Sequence, residues 1–357
     1  MAATAVVVGA GVFGASTARE LARRGWDVRV VEQYTAGNVR SGSGGDTRLI
    51  RFSHGDVDWY TLMARRALQL WLELEQETGM KLFEPVGVAW FETGDDDFTR
   101  KSEATLNRLG IPCERLTPED AQRLYPSLGG DDLRSVLFEP DAGVLLARRA
   151  TRCLVRNLLV ETGRPTPDDP PGADIVVWAC GAWLPGLFPG LVEQRISRRD
   201  VFFVGVDGSW TGTPGYCDYE GAYYGHGELG GLGLKVAYDG PGAEIDPDEL
   251  ERLPDPASEA LARSYLARRF PALAGAPLIG ARVCQYDLTL DSHFLFDRHP
   301  EHQGWWLLGG GSGHGFKHGP ALAEYVVDCI EGGRKPETFH AFGPRTGHAG
   351  LRTAGAA

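Results

Sequence analysis

The sequence predicts an α/β protein in which a domain built on a parallel sheet is interrupted by a second, α+β domain with an antiparallel sheet. Three observations lead to this prediction. A short β-branched strand runs into a glycine-rich turn near the start, and a second glycine run follows another apolar strand near residue 309. Between them lie aromatic, glycine-rich strands of a different character. Strands of a parallel sheet are buried on both faces and apolar throughout, whereas aromatic residues suit an antiparallel sheet.

Segments typical of a nucleotide-binding parallel sheet recur along the chain, so the first domain is predicted to be discontinuous. We assign to it residues 1–80, 144–198 and 281–342, and to the second domain residues 81–143 and 199–280. Residues 343–357, rich in Gly, Ala, Arg and Thr, are expected to form a flexible tail. At 357 residues the chain is long enough for two domains.

The first strand and turn predict a nucleotide site. Residues 5–8 (AVVV) form the strand, and Gly9, Gly11 and Gly14 follow as G-x-G-x-x-G. In this motif the first glycine permits a tight turn, the second lets the backbone approach a pyrophosphate, and the third lets the helix pack on the strand. The motif alone is weak, and its context decides its value.

That context continues with a helix over residues 16–24, ended by Gly25, and a second apolar strand over residues 28–31. The free N–H groups at the start of such a helix favour an anion. Glu32 follows, 18 residues beyond Gly14, where Rossmann-like folds place the acid that accepts ribose hydroxyls. We therefore predict a Rossmann-like domain that binds NAD or FAD rather than a 2′-phosphorylated cofactor.

The remaining elements follow from apolar periodicity, caps and breakers. Helices are predicted over residues 59–78, 95–109, 144–160, 258–270 and 320–330, and strand-forming segments over residues 82–92, 174–178, 200–206, 222–238, 283–291 and 305–308. Gly79 ends the first of these helices, and Pro320 opens the last. Loops rich in Gly, Ser or Pro occupy residues 41–46, 165–172 and 309–319.

Bulk properties exclude some classes of protein. The net charge of −12 argues against a surface that binds nucleic acid. The six cysteines are scattered and form no C-x-x-C, which is typical of a reducing compartment. No apolar run approaches the ~20 residues of a membrane span. We expect a cytoplasmic protein with no membrane partner.

Two arginines, Arg48 and Arg51, follow the loop at 41–46. From residue type alone they could equally contact a phosphate, lie on the solvated surface, or serve the site.

Four blocks of sequence, taken together, resemble the monomeric sarcosine oxidase family of FAD-dependent amine oxidases, which has a DAO-type fold. They are SGSGGDTRLIR (41–51), YGHGELGGLGLKVAY (224–238), CQYDLTLDSHFLFD (284–297) and GGGSGHGFKHGP (309–320). The resemblance implies oxidation of a secondary amino acid to an imine, with a hydride passed to FAD and electrons then passed to O₂.

The resemblance also implies roles for single residues. Cys284 would be bonded covalently to the flavin, with Tyr286 and Thr289 also matching its block; the plain alternative is a small buried hydrophobe. Arg51 and Lys317 would bind the substrate carboxylate, which suits a guanidinium fork and a point charge. Lys235 would hold a water near the flavin and promote reaction with O₂, because a fixed cation stabilises superoxide.

The predicted catalytic residues are Lys235, Arg48, Tyr224 and Asp239; the substrate-binding residues are Arg51, Lys317 and Tyr224; the cofactor-binding residues are Gly9, Gly11, Gly14, Glu32, Arg48, Cys284, Gly313, Gly315 and Lys317. No metal site is predicted, because the glycines around His314 and His318 argue against one helix carrying both.

The chain departs from the family in two places. Asp239 stands where sarcosine oxidases have a histidine. A related subgroup, which oxidises cyclic imino acids in antibiotic biosynthesis, also has an aspartate at this position. Asp239 could instead be a turn residue before Gly240. The second departure is the short proline- and aspartate-rich segment 161–174, where family members have a sizeable β-meander.

We expect an FAD-dependent oxidase of a carboxylate-bearing secondary or cyclic amine that serves as a biosynthetic tailoring enzyme and acts as a monomer with an amino or imino acid and O₂. One alternative is a flavin dehydrogenase of the same fold that passes electrons to another acceptor. The other is a non-catalytic dinucleotide-binding sensor, against which Arg51, Cys284 and Lys317 together speak.

Overall fold

The computed structural model describes residues 2–95 and 97–343, so residues 344–357 of the predicted tail lie outside the described residues. The described strands are β1 (Thr4–Val8), β2 (Asp27–Glu32), β3 (Arg48–Ile50), β4 (Phe83–Glu84), β5 (Val88–Glu92), β6 (Glu114–Leu116), β7 (Ser135–Glu139), β8 (Gly143–Leu145), β9 (Leu159–Thr162), β10 (Ile175–Trp178), β11 (Arg195–Val204), β12 (Gly215–Asp218), β13 (Tyr223–His226), β14 (Leu234–Tyr238), β15 (Leu278–Leu288), β16 (Leu295–Arg298) and β17 (Trp305–Gly309). The described α-helices are α1 (Val12–Arg23), α2 (Asp58–Thr78), α3 (Phe98–Arg108), α4 (Pro118–Ala121), α5 (Ala147–Leu154), α6 (Leu184–Leu187), α7 (Pro256–Arg269) and α8 (Gly319–Ile330).

The first sheet has six strands in the order β16-β17-β10-β1-β2-β9. Its strands are parallel except for β16, which pairs antiparallel with β17 at one edge. Strand β1 lies in the interior and is buried from Ala5 onward, as its unbroken apolar run predicts. Helices α1 and α8 pack against each other, and α2 packs against α8. The predicted Rossmann-like parallel sheet is confirmed.

The second sheet has eight strands in the order β15-β11-β14-β13-β12-β5-β7-β6. All its neighbouring pairs are antiparallel except β12 with β5. The long strands β11 and β15 pair from Arg195 with Leu288 to Val204 with Leu278. In chain order, β11 follows β10 of the first sheet, and β15 precedes β16 of the first sheet. A small third sheet, β3-β8-β4, joins segments assigned to both predicted domains. The exact division into domains therefore stays a prediction.

The predicted helix over residues 144–160 is wrong. Residues 143–145 form β8, which pairs with β3 and β4, and only Ala147–Leu154 is helical. Leu159 and Val160 then pair with Arg29 and Val30 at the edge of the parallel sheet. Cross-strand pairing, which local periodicity does not reveal, overrides the helical spacing of the apolar residues here.

Several other boundaries move. Helix α1 begins at Val12, directly after Gly11, rather than at residue 16. The predicted strand over 82–92 is broken between β4 and β5, and β15 begins at Leu278 rather than at 283. The earlier start of α1 has a consequence for binding, because it brings the free end of the helix directly to the glycine turn.

Candidate active site

A cleft of about 700 Å³ opens at the carboxyl ends of the parallel strands. This edge is where open α/β sheets bind their ligands. The cleft is lined by predicted cofactor residues from four separate segments: Gly9, Gly11, Glu32, Arg48, Gly313 and Gly315. The fold thus brings the two glycine loops together, although they are some three hundred residues apart in sequence.

The three motif glycines have different surroundings. Gly9 has φ +104°, and a Cβ there would lie 2.4 Å from the carbonyl oxygen of Ala179. A Cβ on Gly14 would lie 2.0 Å from the Gly9 oxygen, so both positions require glycine for packing. At Gly11 the nearest atom would be Ser43 Oγ at 3.4 Å, so this backbone is open to a ligand. These are the roles expected of a dinucleotide turn.

Glu32 ends β2 with its carboxylate in the cleft. Its Oε2 accepts a hydrogen bond from the Ala10 N–H at 2.7 Å, and its Oε1 accepts one from the Tyr34 N–H at 3.0 Å. Burial raises the pKa of Glu32, while these backbone bonds oppose the rise. Oε1 also accepts a long hydrogen bond from Asn38 Nδ2 at 3.4 Å. Oε2 retains a second lone pair, so the group can also accept a ribose hydroxyl.

The cleft also contains polar atoms that need a ligand. Both side-chain polar atoms of Gln194, and Nε2 of Gln285, are buried without a hydrogen-bond partner among the described residues. Both amides line the cleft. Because unpartnered buried polar groups are costly, these atoms fit a polar occupant. Together with the glycine turn and Glu32, the donor set fits FAD.

Cys284 lies on β15 and is buried. Arg48 Nη2 is 3.3 Å from its Sγ and also donates to the Gly42 carbonyl oxygen at 2.7 Å. Burial works against the charge of Arg48, but the neighbouring thiol and two phenols outweigh it and raise the pKa of the guanidinium. Arg48 and the residue after Cys284 both line the cleft, so the thiol lies immediately behind its wall.

Lys235 lies on β14 behind the same wall and is 2% exposed. Its Nζ donates to the Thr47 carbonyl oxygen at 3.2 Å and sits 4.9 Å from the centre of the Tyr224 ring. Burial, reinforced by Arg48, lowers the pKa of Lys235 to about 7. Tyr224 in turn accepts a hydrogen bond from the hydroxyl of Tyr286, a cleft residue, at 3.3 Å.

Arg51 and Lys317 are both buried, at 8% and 2% exposure. The Arg51 guanidinium stacks 4.6 Å from the centre of the Trp90 ring and donates to the Ser53 carbonyl oxygen. Lys317 Nζ donates to the His314 carbonyl oxygen at 2.8 Å. Burial, reinforced by Arg51, lowers the pKa of Lys317 well below its usual range. Neither cation has a salt bridge within residues 2–95 and 97–343, so the pair can receive an anion.

Asp239 follows β14 and is 9% exposed, with its N–H donating to the Ala222 carbonyl oxygen at 2.6 Å. Its negative charge helps to raise the pKa values of Lys235 and Lys317 against the effect of burial. Asp239 is therefore a buried residue directly after β14 whose charge acts on the two lysines. A role in the substrate pocket and a role as a turn residue both remain predictions.

Sequence reasoning missed Glu139 and His226. Glu139 is fully buried at the end of β7 and accepts from the N–H groups of Phe52 and Ser53 and from Trp90 Nε1. His226 Nε2 lies 2.7 Å from Thr47 Oγ1, and burial, with Lys235, lowers its pKa to about 3. A charged residue at the end of an apolar strand (VLFE, 136–139) was the available signal for Glu139.

Three buried imidazoles also meet behind the two cations, from His54, His314 and His318. One ring nitrogen from each lies within 4.8 Å of the other two, so the three side chains form a compact cluster. Burial, followed by the charge of Lys317, lowers the pKa values of His54 and His318 well below the usual range. The absence of a metal site therefore stays a prediction.

Comparison with known proteins places the chain among flavoenzymes. The family profile described as FAD dependent oxidoreductase matches residues 4–329. The chain is 30% identical to a monomeric sarcosine oxidase of a Bacillus species, covering 94% of each protein, and 28% identical to an N-methyl-L-tryptophan oxidase of Salmonella arizonae, covering 90% of this chain and 93% of that one. Its fold is similar to that of an L-proline dehydrogenase from P. horikoshii, with a TM-score of 0.81, 22% identity, and coverage of 95% and 96%.

Among the helices described, none combines the length and apolar character needed to cross a bilayer.

Proposed function

Because the chain belongs to the family of FAD-dependent oxidoreductases that includes the monomeric sarcosine oxidases, we propose that it oxidises the C–N bond of a carboxylate-bearing secondary or cyclic amine and uses O₂ as electron acceptor. It is an FAD-dependent enzyme acting on the CH–NH group of a secondary amine. When bound, FAD would supply the redox chemistry: oxidation of the amine to the imine, with loss of two electrons and two protons, coupled to reduction of O₂ to H₂O₂, which gains them.

The observation that carries the substrate class is the pair of buried cations, Arg51 and Lys317. A guanidinium held on an indole face offers a fixed fork for one carboxylate, and the ammonium beside it supplies a point charge. Leaving both cations without an anion in a buried site is costly, and a substrate carboxylate offsets that cost. The clamp would fix the α-carbon and the nitrogen relative to the cleft, which is a matter of positioning.

Three further residues would serve the reaction with O₂ and the recognition of the substrate. Lys235, whose ammonium lies behind the cleft wall, would stabilise negative charge as O₂ is reduced. Asp239 would accept a hydrogen bond from a donor on the substrate, which favours a larger or cyclic amino acid over N-methylglycine. Tyr224, stacked under Lys235, would line the pocket.

The cofactor is proposed to be covalent through Cys284, with Arg48 contacting the sulfur. Glu32 and the Gly11 backbone would hold the ribose and the pyrophosphate, and the loop at Gly313 and Gly315 would lie against the flavin. We also propose a monomeric protein of a reducing, cytoplasmic compartment, supported by six unpaired cysteines.

A panel of acids and their methyl esters tests the clamp. Anaerobic bleaching of the flavin should be efficient with N-methyl or cyclic amino acids and poor with the same compounds as esters. Replacing Arg51 or Lys317 with Met should cost about 2–5 kcal/mol in kcat/KM for the acid, since a buried charge loses its partner. Equal oxidation of acid and ester by the unmodified enzyme contradicts the clamp. One H₂O₂ formed per amine oxidised distinguishes the oxidase from a dehydrogenase.

A further inference from the structure

We propose that Glu139 is a positioning residue for the carboxylate clamp: it holds the backbone and the indole against which the Arg51 guanidinium is placed. This inference rests on the proposed function of Arg51. Glu139 comes from β7, a strand assigned to the other predicted domain, and nothing in the sequence links it to Arg51.

The carboxylate of Glu139 is completely buried and accepts three hydrogen bonds. Oε2 accepts from the Phe52 N–H at 2.5 Å, and Oε1 accepts from the Ser53 N–H at 3.2 Å and from Trp90 Nε1 at 2.7 Å. The first two donors belong to the residues that directly follow Arg51. The third belongs to the indole under its guanidinium.

Both described supports of the Arg51 side chain therefore belong to residues that Glu139 holds. The guanidinium donates to the carbonyl oxygen of Ser53 and stacks on the face of Trp90, with 4.6 Å between Cζ and the ring centre. A guanidinium binds a carboxylate through a planar fork, so a small rotation of its plane removes one of the two hydrogen bonds. One carboxylate thus fixes the carbonyl oxygen and the ring that together set this plane.

A neutral side chain cannot replace Glu139. All three neighbours are N–H donors, and a glutamine would turn one of its two acceptors into a further donor. At least one buried N–H would then lose its partner, and the chain at 52–53 or the indole would move to find another. The buried negative charge also lies close enough to Lys317 to oppose the lowering of that lysine's pKa by burial and by Arg51.

Geometry and charge predict opposite outcomes, which makes the proposal testable. If Glu139 acted only through its charge, removing it would leave two cations less neutralised, and carboxylates would bind more tightly. If it positions Arg51, removing it weakens their binding. The probes are furan-2-carboxylate, which has no oxidisable amine, and furan-2-carboxamide, its neutral counterpart, both titrated into the holoenzyme and followed by flavin absorbance.

We expect Glu139→Gln to weaken furan-2-carboxylate binding by about tenfold or more, the equivalent of one lost buried hydrogen bond, while furan-2-carboxamide binding changes less than about threefold. Trp90→Phe keeps the ring face but removes one donor, and should weaken the same ligand by a smaller factor. It is the second test if Glu139→Gln fails to fold. The matched control is Glu92→Gln, a buried carboxylate of the neighbouring strand that contacts Arg100, Arg115 and Ser135, none of which belongs to the clamp.

Unchanged or tighter binding of furan-2-carboxylate by Glu139→Gln overturns the proposal, as does an equal loss in Glu92→Gln. Failure of the clamp itself looks different. In that case the unmodified holoenzyme does not prefer the carboxylate to the carboxamide, and Arg51→Met leaves the preference unaltered. A preference that Arg51→Met removes and Glu139→Gln retains rejects only the positioning role.

Discussion

Replacing Lys235 with Met tests whether the protein retains a buried cation at the expense of stability. Burial, reinforced by Arg48, lowers the pKa of Lys235 from 10.5 to about 7. At about 1.4 kcal/mol per pKa unit, this change corresponds to about 5 kcal/mol. Below the folded-state pKa of about 7, the amine is protonated in both the folded and the unfolded protein. The folded protein then carries the full free-energy cost of burying the ammonium. Between the two values the unfolded chain binds more protons, so the free energy of unfolding rises with pH.

Lys235→Met should therefore be more stable than the unmodified enzyme near pH 6, by up to about 5 kcal/mol, with a smaller difference at about pH 9.5. Lost hydrogen bonding offsets little of this gain, because the Thr47 carbonyl oxygen also accepts from Arg48 Nη1 at 2.8 Å. Urea unfolding of the oxidised enzyme at both pH values measures the difference. Lys335→Met, at an exposed lysine, is the control and should change stability by less than about 0.5 kcal/mol.

The same variant should separate the two half-reactions. Anaerobic flavin reduction by substrate should be nearly unchanged, whereas reoxidation by O₂ should slow by about 100-fold or more, since only that step develops negative charge beside the ammonium. Two results refute the reasoning: no gain in stability near pH 6, or an equal slowing of both half-reactions. The first would mean that the amine is not buried as a cation, and the second that Lys235 serves substrate binding or structure.

Three further outcomes are expected. Acid precipitation should leave the unmodified protein yellow, whereas Cys284→Ala should release its flavin to the supernatant; a colourless pellet from the unmodified protein excludes the covalent bond. Asp239→Ala should impair oxidation of the preferred substrate more than oxidation of proline or pipecolate, and sarcosine should be a poor substrate of the unmodified enzyme. If sarcosine is the best substrate, Asp239 is only a turn residue. Arg269→Met should lower the free energy of unfolding by about 3–5 kcal/mol in a urea titration. The reason is that Asp218, which is fully buried and 3.2 Å from Arg269, loses its cation. A loss below about 1 kcal/mol contradicts this expectation.

Local sequence was sufficient for the nucleotide half of the site. The turn at Gly9, Gly11 and Gly14 and the acid at Glu32 are consecutive in one β-α-β unit, so short-range rules determine their geometry. The family resemblance added the residues of the second glycine loop and Cys284, and the fold and the family it implied are confirmed. The roles of individual residues remain predictions.

Only the tertiary structure shows how the environments of Arg48 and Arg51 differ. Arg48 and Arg51 are three residues apart on one short segment, and residue type alone allowed the same roles for both. The fold places Arg48 against a thiol from β15 and Arg51 against an indole from β5. Neither contact has a local signal, because each joins segments far apart in the chain.

The same reason explains why the prediction of a helix over 144–160 was wrong and why Glu139 was missed. Residues 143–145 became a strand because β3 and β4 pair with it, and Glu139 became a buried acceptor because three N–H groups converge on it. Periodicity and motif spacing report what a segment can do alone. Strand pairing and buried hydrogen bonds depend on distant partners, and only the folded chain brings those partners together.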